Sequence, residues 1–257
     1  MVQARTAAPS SLGNFGREHG EEIICRWLTF VTSCHLGPGR LRRVTDTELT
    51  LRERKKLRTR RALVEEALRL FTERGFGEAT LDEVVAAVEV SQRTFFRYFS
   101  SKEDVALAPE KELWAAYAAE MERRPPPEEG SPLPRFEEVL FGAVAGMADG
   151  WERRFVVSRA LCDRTPALVA HSLRHCAEVT DRVVALATRR GGVDELRTRL
   201  TLELMLAAWH WAVHQWSAEA AADDAGLGGA DREALYARMR EAFAALPGVA
   251  ALVSERG

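Results

Sequence analysis

The 257-residue chain has little of what would staple, export or anchor a protein. Its 4 cysteines are scattered and show no Cys-x-x-Cys spacing, which excludes a disulfide framework or a zinc ribbon. Long apolar runs are missing. The longest candidate, Ile23–Val31, is broken by Arg26 and is far short of the ~20 residues that span a bilayer, so no membrane partner is expected. The first residues show no basic stretch followed by an apolar segment and a small-residue cleavage site, so export is not expected and the location is read as cytoplasmic. No segment alternates apolar and polar residues between hairpin turns, and no repeat of fixed period is visible. The fold class is therefore all-α. At 46% hydrophobic and 29% charged residues the composition is that of a globular chain, long enough to bury a core without metal or disulfide.

Net charge is also nearly absent, at −2, but its distribution is uneven. Residues 1–50 hold 6 basic and 5 acidic side chains, residues 51–102 hold 12 and 8, and residues 103–257 hold 18 and 25. A basic segment of some fifty residues thus precedes a larger acidic one, the pattern of a chain in which one part approaches a polyanion.

Residues 1–48 contain Ala-Ala-Pro-Ser-Ser and Leu-Gly-Pro-Gly and no sustained period, so they read as a poorly structured extension. From Leu51 to Arg74 there is no Gly or Pro, and Leu57, Leu63, Val64, Ala67, Leu68, Leu70 and Phe71 recur at helical spacing, with Gly75 as the stop. Thr80-Leu-Asp-Glu83 has the form of a capping box and opens a short helix to Val88. Ser91 is the N-cap candidate of a helix from Gln92 to about Phe99. Ser101 caps a fourth helix that runs to about Arg124. The proline-rich stretch Pro125–Pro134 reads as a loop. Helical segments follow at Phe136–Gly150, Trp151–Cys162, Ala167–Arg190, Val193–Ala222 and Asp231–Leu246.

Residues 80–99 carry the chemistry. Leu81, Val84, Val85 and Val88 face inward, Glu89-Val90 makes a tight turn, and the next helix presents Gln92 and Arg93 in an unobstructed first turn. A recognition helix enters a major groove in this way. Gln reads adenine bidentately and Arg reads guanine. Thr94 suits a thymine methyl or a base-edge hydrogen bond. Phe95 and Phe99 are expected in the core and Phe96 on the outer face. Tyr98 and Lys102, with the helix N-termini, suit phosphates, and Thr80, Ser91, Phe96 and Arg97 are further candidates for DNA contact. Lys55 and Arg58, within the run Arg52, Arg54, Lys55, Lys56, Arg58, Arg60 and Arg61, suit the DNA backbone or a minor-groove arm.

Residues 51–124 resemble the DNA-binding domain of the tetracycline-repressor (TetR) family of bacterial regulators. The match is Ala67, Phe71, Gly75-Phe76, Ala79-Thr80, Val90-Ser91, Thr94-Phe95-Phe96-Arg97-Tyr98-Phe99 and Ser101-Lys102-Glu103. The resemblance implies a helix-turn-helix domain over residues 49–101 and a larger helical ligand-binding and dimerisation domain over residues 102–257. It implies a homodimer on a palindromic operator of double-stranded DNA, released by a small-molecule effector, which makes the chain a repressor and not an enzyme. Glu89 stands where the family has Gly, which implies local backbone strain. The stretch Arg93–Phe99 also resembles a subgroup whose C-terminal domains look like acyl-CoA-type sensors.

In the C-terminal half, Leu196, Leu200, Leu204, Ala207 and Trp211 form one stripe, and Leu202, Leu206, Trp209, Val213 and Trp216 form another. A helix apolar on two faces needs cover on both, so one face is expected against its own domain. The other, with Asp231–Leu246, is expected in an intersubunit four-helix bundle. The effector pocket is expected at Phe141, Met147, Trp151, Phe155, Cys162, Leu173, Met205 and Trp209, which implies an apolar or amphipathic ligand. Arg159 and Arg174 are candidates for a carboxylate or phosphate. His171/His175 and His210/His214 stand one helical turn apart, a metal-binding spacing, with Cys162 and Cys176 as further ligands. No carboxylate accompanies them at a metalloprotease spacing, so no metal and no cofactor are expected. A metal- or redox-responsive regulator on the same fold stays open, as does a helical acyl-processing enzyme with Cys162 or a histidine as nucleophile or base.

Overall fold

The structure, a computed structural model, describes residues 50–124, 130–189, 194–222 and 230–254; the expected N-terminal extension lies outside them. The described residues form ten helices and no strand: α1 (Leu51–Arg74), α2 (Leu81–Ala87), α3 (Gln92–Phe95), α4 (Lys102–Ala106), α5 (Ala108–Arg123), α6 (Leu133–Gly146), α7 (Trp151–Cys162), α8 (Pro166–Thr188), α9 (Glu195–Ala222) and α10 (Arg232–Ser254). None of these helices is long and apolar enough to cross a membrane.

Two apolar clusters organise them. The smaller gathers Leu63, Val64, Ala67, Phe71, Val84 and Phe95 from α1–α3 and Phe99 from the turn after α3 with Val105 and Ala106 of α4, and takes in Leu161, Cys162 and Leu168 from the α7–α8 corner. The larger holds the C-terminal helices around Trp151, Phe155, Trp209 and Trp216. The small head is thus seated on the body through a shared apolar floor. Polar ties reinforce it. Arg60 pairs with Glu112 of α5 at 2.6 Å while stacking over Phe99. Arg61 donates to the Asp149 carbonyl at 2.9 Å, and Ser158 Oγ of α7 donates to the Ala106 carbonyl at 2.6 Å.

Helix boundaries differ from the sequence reading wherever proline decides. The expected single helix after Ser101 is two, because Pro109 has no N–H and its ring collides with the carbonyl four residues back, so the chain breaks at Leu107. The same ring fits the first turn of a new helix, where the N–H is not needed. For that reason α6 starts at Leu133, inside the stretch read as loop. By contrast α10 runs on through Pro247 to Ser254, beyond the expected end at Leu246. The second apolar face of α9 is real. Leu202, Leu206, Trp209, Val213 and Trp216 are buried, whereas the opposite stripe is exposed, from 66% at Leu196 to 41% at Trp211.

Candidate functional site

Local hydrogen bonds hold the start of α3 in place. Thr80 and Glu83 close the expected box: the Thr80 hydroxyl accepts from the Glu83 N–H, and the Glu83 carboxylate accepts from the Thr80 N–H at 2.8 Å. These bonds hold the Glu83 carboxyl below the usual carboxylate range. The turn then passes through Glu89 at φ 56°, a left-handed residue with a Cβ. The Val90 N–H returns to the Val85 carbonyl at 2.9 Å. Ser91 caps α3, accepting from the Thr94 N–H at 3.1 Å. After Phe95 the helix tightens into bonds such as Tyr98 N–H to the Phe95 carbonyl, 2.8 Å. The expected helix to Phe99 therefore ends four residues early. The tight turn still buries both Phe95 and Phe99 and leaves Phe96 half outside, at 50%.

The outcome is a blunt tip. Ser91, Gln92, Arg93, Phe96 and Arg97 are exposed, and Thr94 is half-buried with its hydroxyl 3.0 Å from that of Ser91. Tyr98 is half-buried against the head core. Gln92 is not free: its amide nitrogen donates to the carboxylate of Asp82 on α2, a partner that sequence reading missed. Thr80 is exposed, but its hydroxyl also donates to Glu83. On α1, Lys55 and Arg58 are exposed, whereas Arg60 is half-buried on Glu112 and Phe99 and the exposed Arg61 is engaged by the Asp149 carbonyl. Lys102, an expected phosphate contact, is engaged within the head. Its ammonium donates to the carbonyls of Ala79 at 2.8 Å and Gly77 at 3.4 Å and lies 4.5 Å from the Phe76 ring centre. These contacts tie Lys102 to the turn between α1 and α2.

In the body, a cavity of about 620 Å³ lies between α5, α7 and α9. One side is apolar, with Phe155, Val156, Trp209 and Val213; the other carries Glu110, Arg159, His210, His214 and Ser217. Burial raises the Glu110 carboxyl above its usual range against the pull of Arg159, 3.7 Å away, and Ser172 donates to it at 3.0 Å. Burial and Arg159 push His210 down. Ser217 Oγ is buried without a partner in the protein.

Of the expected pocket residues, Phe155 and Trp209 line this cavity. Met147, Trp151 and Met205 sit in the body core. The Trp151 indole is engaged by the Pro109 carbonyl at 2.9 Å. Phe141 stacks with Tyr236 and Phe243 of α10, Cys162 belongs to the head-side cluster, and Leu173 is 66% exposed on the outer face of α8. Apolar character cannot separate cavity wall from filled core. The usable signal was polar: Arg159, and the His210/His214 pair at one-turn spacing on an otherwise apolar helix.

In the other histidine pair, His171 is engaged by a cation of the chain itself. His171 Nε2 lies 2.9 Å from the Lys111 ammonium, which pairs with Asp104 at 2.6 Å. His175 Nε2 is buried without a partner, and burial, helped by Lys111, pushes this imidazole down to about 4. Among the described residues no group of three or more His, Cys, Asp or Glu side chains is placed to hold a metal. Burial pushes the Cys162 and Cys176 thiols up, away from the thiolate that a nucleophile or redox switch needs.

Comparison with known proteins places these features. A profile described as "Bacterial regulatory proteins, tetR family" matches residues 63–108, from mid-α1 to the start of α5. The chain is also similar to the "HTH-type transcriptional regulator TcmR" of Streptomyces glaucescens, 36% identical over 202 residues, which covers 76% of this chain and 88% of that protein. A capped helix-turn-helix carried on a larger helical body, with that degree of likeness over nearly the whole relative, identifies the chain as a member of the TetR family of bacterial transcriptional regulators.

Proposed function

We propose that the chain is a repressor that binds a palindromic operator as a homodimer and leaves it when an amphipathic small molecule fills the cavity between α5, α7 and α9. It acts in the cytoplasm and is not an enzyme. The observation that carries this reading is the exposed Gln92-Arg93 step at the start of α3, held out by the Thr80 and Ser91 caps. In this arrangement Gln92 and Arg93 read base edges. Thr94 and Phe96 offer apolar contact to a thymine methyl. Ser91, Arg97 and Tyr98 hold backbone with Lys55 and Arg58, and Thr80 with its helix N-terminus faces a phosphate.

The exposed stripe Leu196, Leu200, Leu204 and Trp211 supports the dimer: four large apolar side chains along one face of a 28-residue helix match a second copy of the same helix. Coupling follows the contacts. Val156 and Arg159 of α7 line the cavity, and between them Ser158 bonds the Ala106 carbonyl at the end of α4. A ligand that displaces α7 therefore moves the helix that follows the recognition segment, and differential affinity for the two spacings of the paired heads releases DNA.

The test is binding of full-length protein to duplex selected from a random pool. Gln92→Ala and Arg93→Ala each weaken the selected site about tenfold, by loss of a bidentate base contact. Wild-type affinity in both variants overturns the readout. Leu200→Glu with Leu204→Glu yields monomers in analytical ultracentrifugation; an unchanged dimer removes α9 from the interface.

A further inference from the structure

Gln92 ends in an amide that is ambiguous by nature. One end accepts, the other donates, and a half-turn about its last bond exchanges them. The two orientations read different bases. Adenine shows the major groove a donor, N6–H, beside an acceptor, N7, and matches an amide that presents oxygen and N–H together. Guanine shows two acceptors, O6 and N7, and takes the amide through nitrogen alone. An unrestrained glutamine at this position therefore discriminates poorly between the two purines.

We infer that Asp82 fixes the orientation of the Gln92 amide and thereby makes this position a reader of adenine. The inference rests on Gln92 reading a base, as proposed above. Asp82 lies in the first turn of α2, ten residues before Gln92, and its carboxylate oxygen receives the Gln92 amide N–H. A carboxylate offers acceptors only, so the nitrogen end must turn toward α2 and Oε1 away from it. Nε2 keeps its second N–H for N7 while Oε1 accepts from N6–H. The start of α2 does not need Asp82 for capping, because Thr80 and Glu83 close that end between them. Glu83 also pairs with Arg74. A carboxylate beside the tip that meets a polyanion weakens binding to every sequence. Its contact with Gln92 gives that charge a specific use.

Three full-length variants test the inference: Gln92→Ala, Asp82→Asn and Asp82→Ala. The probes are duplexes selected from a random pool with the wild-type protein, then changed one base pair at a time. Wild type is expected to prefer adenine to guanine about tenfold at one position of each half-site, the size of one bidentate contact. Gln92→Ala abolishes that preference. Asp82→Asn keeps the shape but offers the amide an acceptor or a donor, so both orientations are held and the ratio falls about threefold or more at that position alone. Asp82→Ala lowers the same ratio. If Gln92→Ala removes the preference while both Asp82 variants keep it and bind all sequences more tightly by one common factor, Asp82 acts through its charge alone and the inference is overturned. If Gln92→Ala leaves the preference at every position intact, the readout itself fails and the inference fails with it.

Discussion

The head and the first four helices of the body start in different ways, whereas α9 and α10 open on the carboxylates of Asp194 and Asp231, which accept from the Arg197 and Glu233 N–H groups. Each of α1 to α4 opens on a hydroxyl that accepts from the third helical N–H: Thr50, Thr80, Ser91 and Ser101. Of the helices of the body, α5 to α8 open on residues whose side chains make no cap bond: Leu107, Pro132, Gly150 and Thr165. Three of those four have proline in the first turn, and α7 follows Gly150 at φ 73°. Head helices as short as four and five residues cannot persist on propensity alone, so local bonds must mark their ends. Body helices of 12 to 23 residues are held by burial instead. A head defined locally holds its shape by its own bonds, whereas a body defined by packing takes its shape from its neighbours.

The sharpest way to break this comparison is to ask whether the head is autonomous. Phe95 is fully buried in the head cluster, which also contains Leu161, Cys162 and Leu168 of the body. Phe95→Ala is expected to cost about 3–5 kcal/mol. Because of the shared floor, the loss is expected in one cooperative transition in urea, followed by circular dichroism and tryptophan fluorescence alike. All 6 tryptophans lie outside the head segment, five of them between Trp114 and Trp216. A fluorescence transition left at its wild-type midpoint, with only the circular dichroism signal shifted, shows instead a head that melts alone.

The next effect belongs to the body and to pH. His175 is neutral when folded down to about pH 4, because burial and Lys111 oppose its charge, against an ordinary value of 6.5. Asp104, which favours the charge, and His171, which opposes it, complete its surroundings. Between those values the unfolded chain binds the extra proton. Stability is whole well above pH 6.5 and is lost as the pH falls toward 4, by about 2 kcal/mol between pH 7.5 and pH 5. His175→Leu removes both the titration and a buried nitrogen without a partner, so urea midpoints at pH 7.5 and pH 5 converge. An equal acid loss in the variant excludes His175 as the source.

The same contrast decides what could be read before the structure. The boundaries of α1 and α2, the Ser91 and Ser101 caps, the burial of Phe95 and Phe99 and the exposure of Phe96 follow from residues near one another in sequence, so pattern and capping chemistry suffice. The two faces of α9 were legible for the same reason. The cavity was not, because Trp151, Met205 and Trp209 share one composition and only three-dimensional packing decides which of them meets empty space. The Asp82–Gln92 contact and the inward turn of Lys102 were invisible for another reason: each spans ten or more residues across a turn whose geometry the sequence leaves open.

Removing single caps sharpens the comparison further. Thr80→Ala and Ser91→Ala each leave a helical N–H without its partner and are expected to cost about 1 kcal/mol. The matching changes at body helix starts, such as Thr165→Ala before α8, remove no cap and are expected within about 0.5 kcal/mol of wild type. Hydrogen exchange separates the two cases: the head substitutions speed exchange at the Glu83 and Thr94 amides. Equal costs at Thr80 and Thr165 sink the distinction between local and packed helix starts.

The smallest expected effect runs in the opposite direction. Glu89 occupies the helix-turn-helix turn at φ 56°, where a Cβ crowds the backbone and glycine does not. It is exposed, so its side chain offers no packing to offset that cost. Glu89→Gly relieves the crowding but gives the unfolded chain more freedom, so the net gain is expected at about 0.5 kcal/mol. It also removes one negative charge from a head that meets a polyanion, and it leaves Gln92 and Arg93 in place. Operator affinity should therefore rise modestly for all sequences together, with base preferences unchanged. A loss of stability shows that Glu89 holds the turn by a contact of its side chain. A change in base preference shows that the turn sets the pose of α3 through this residue's backbone rather than through the caps that flank it.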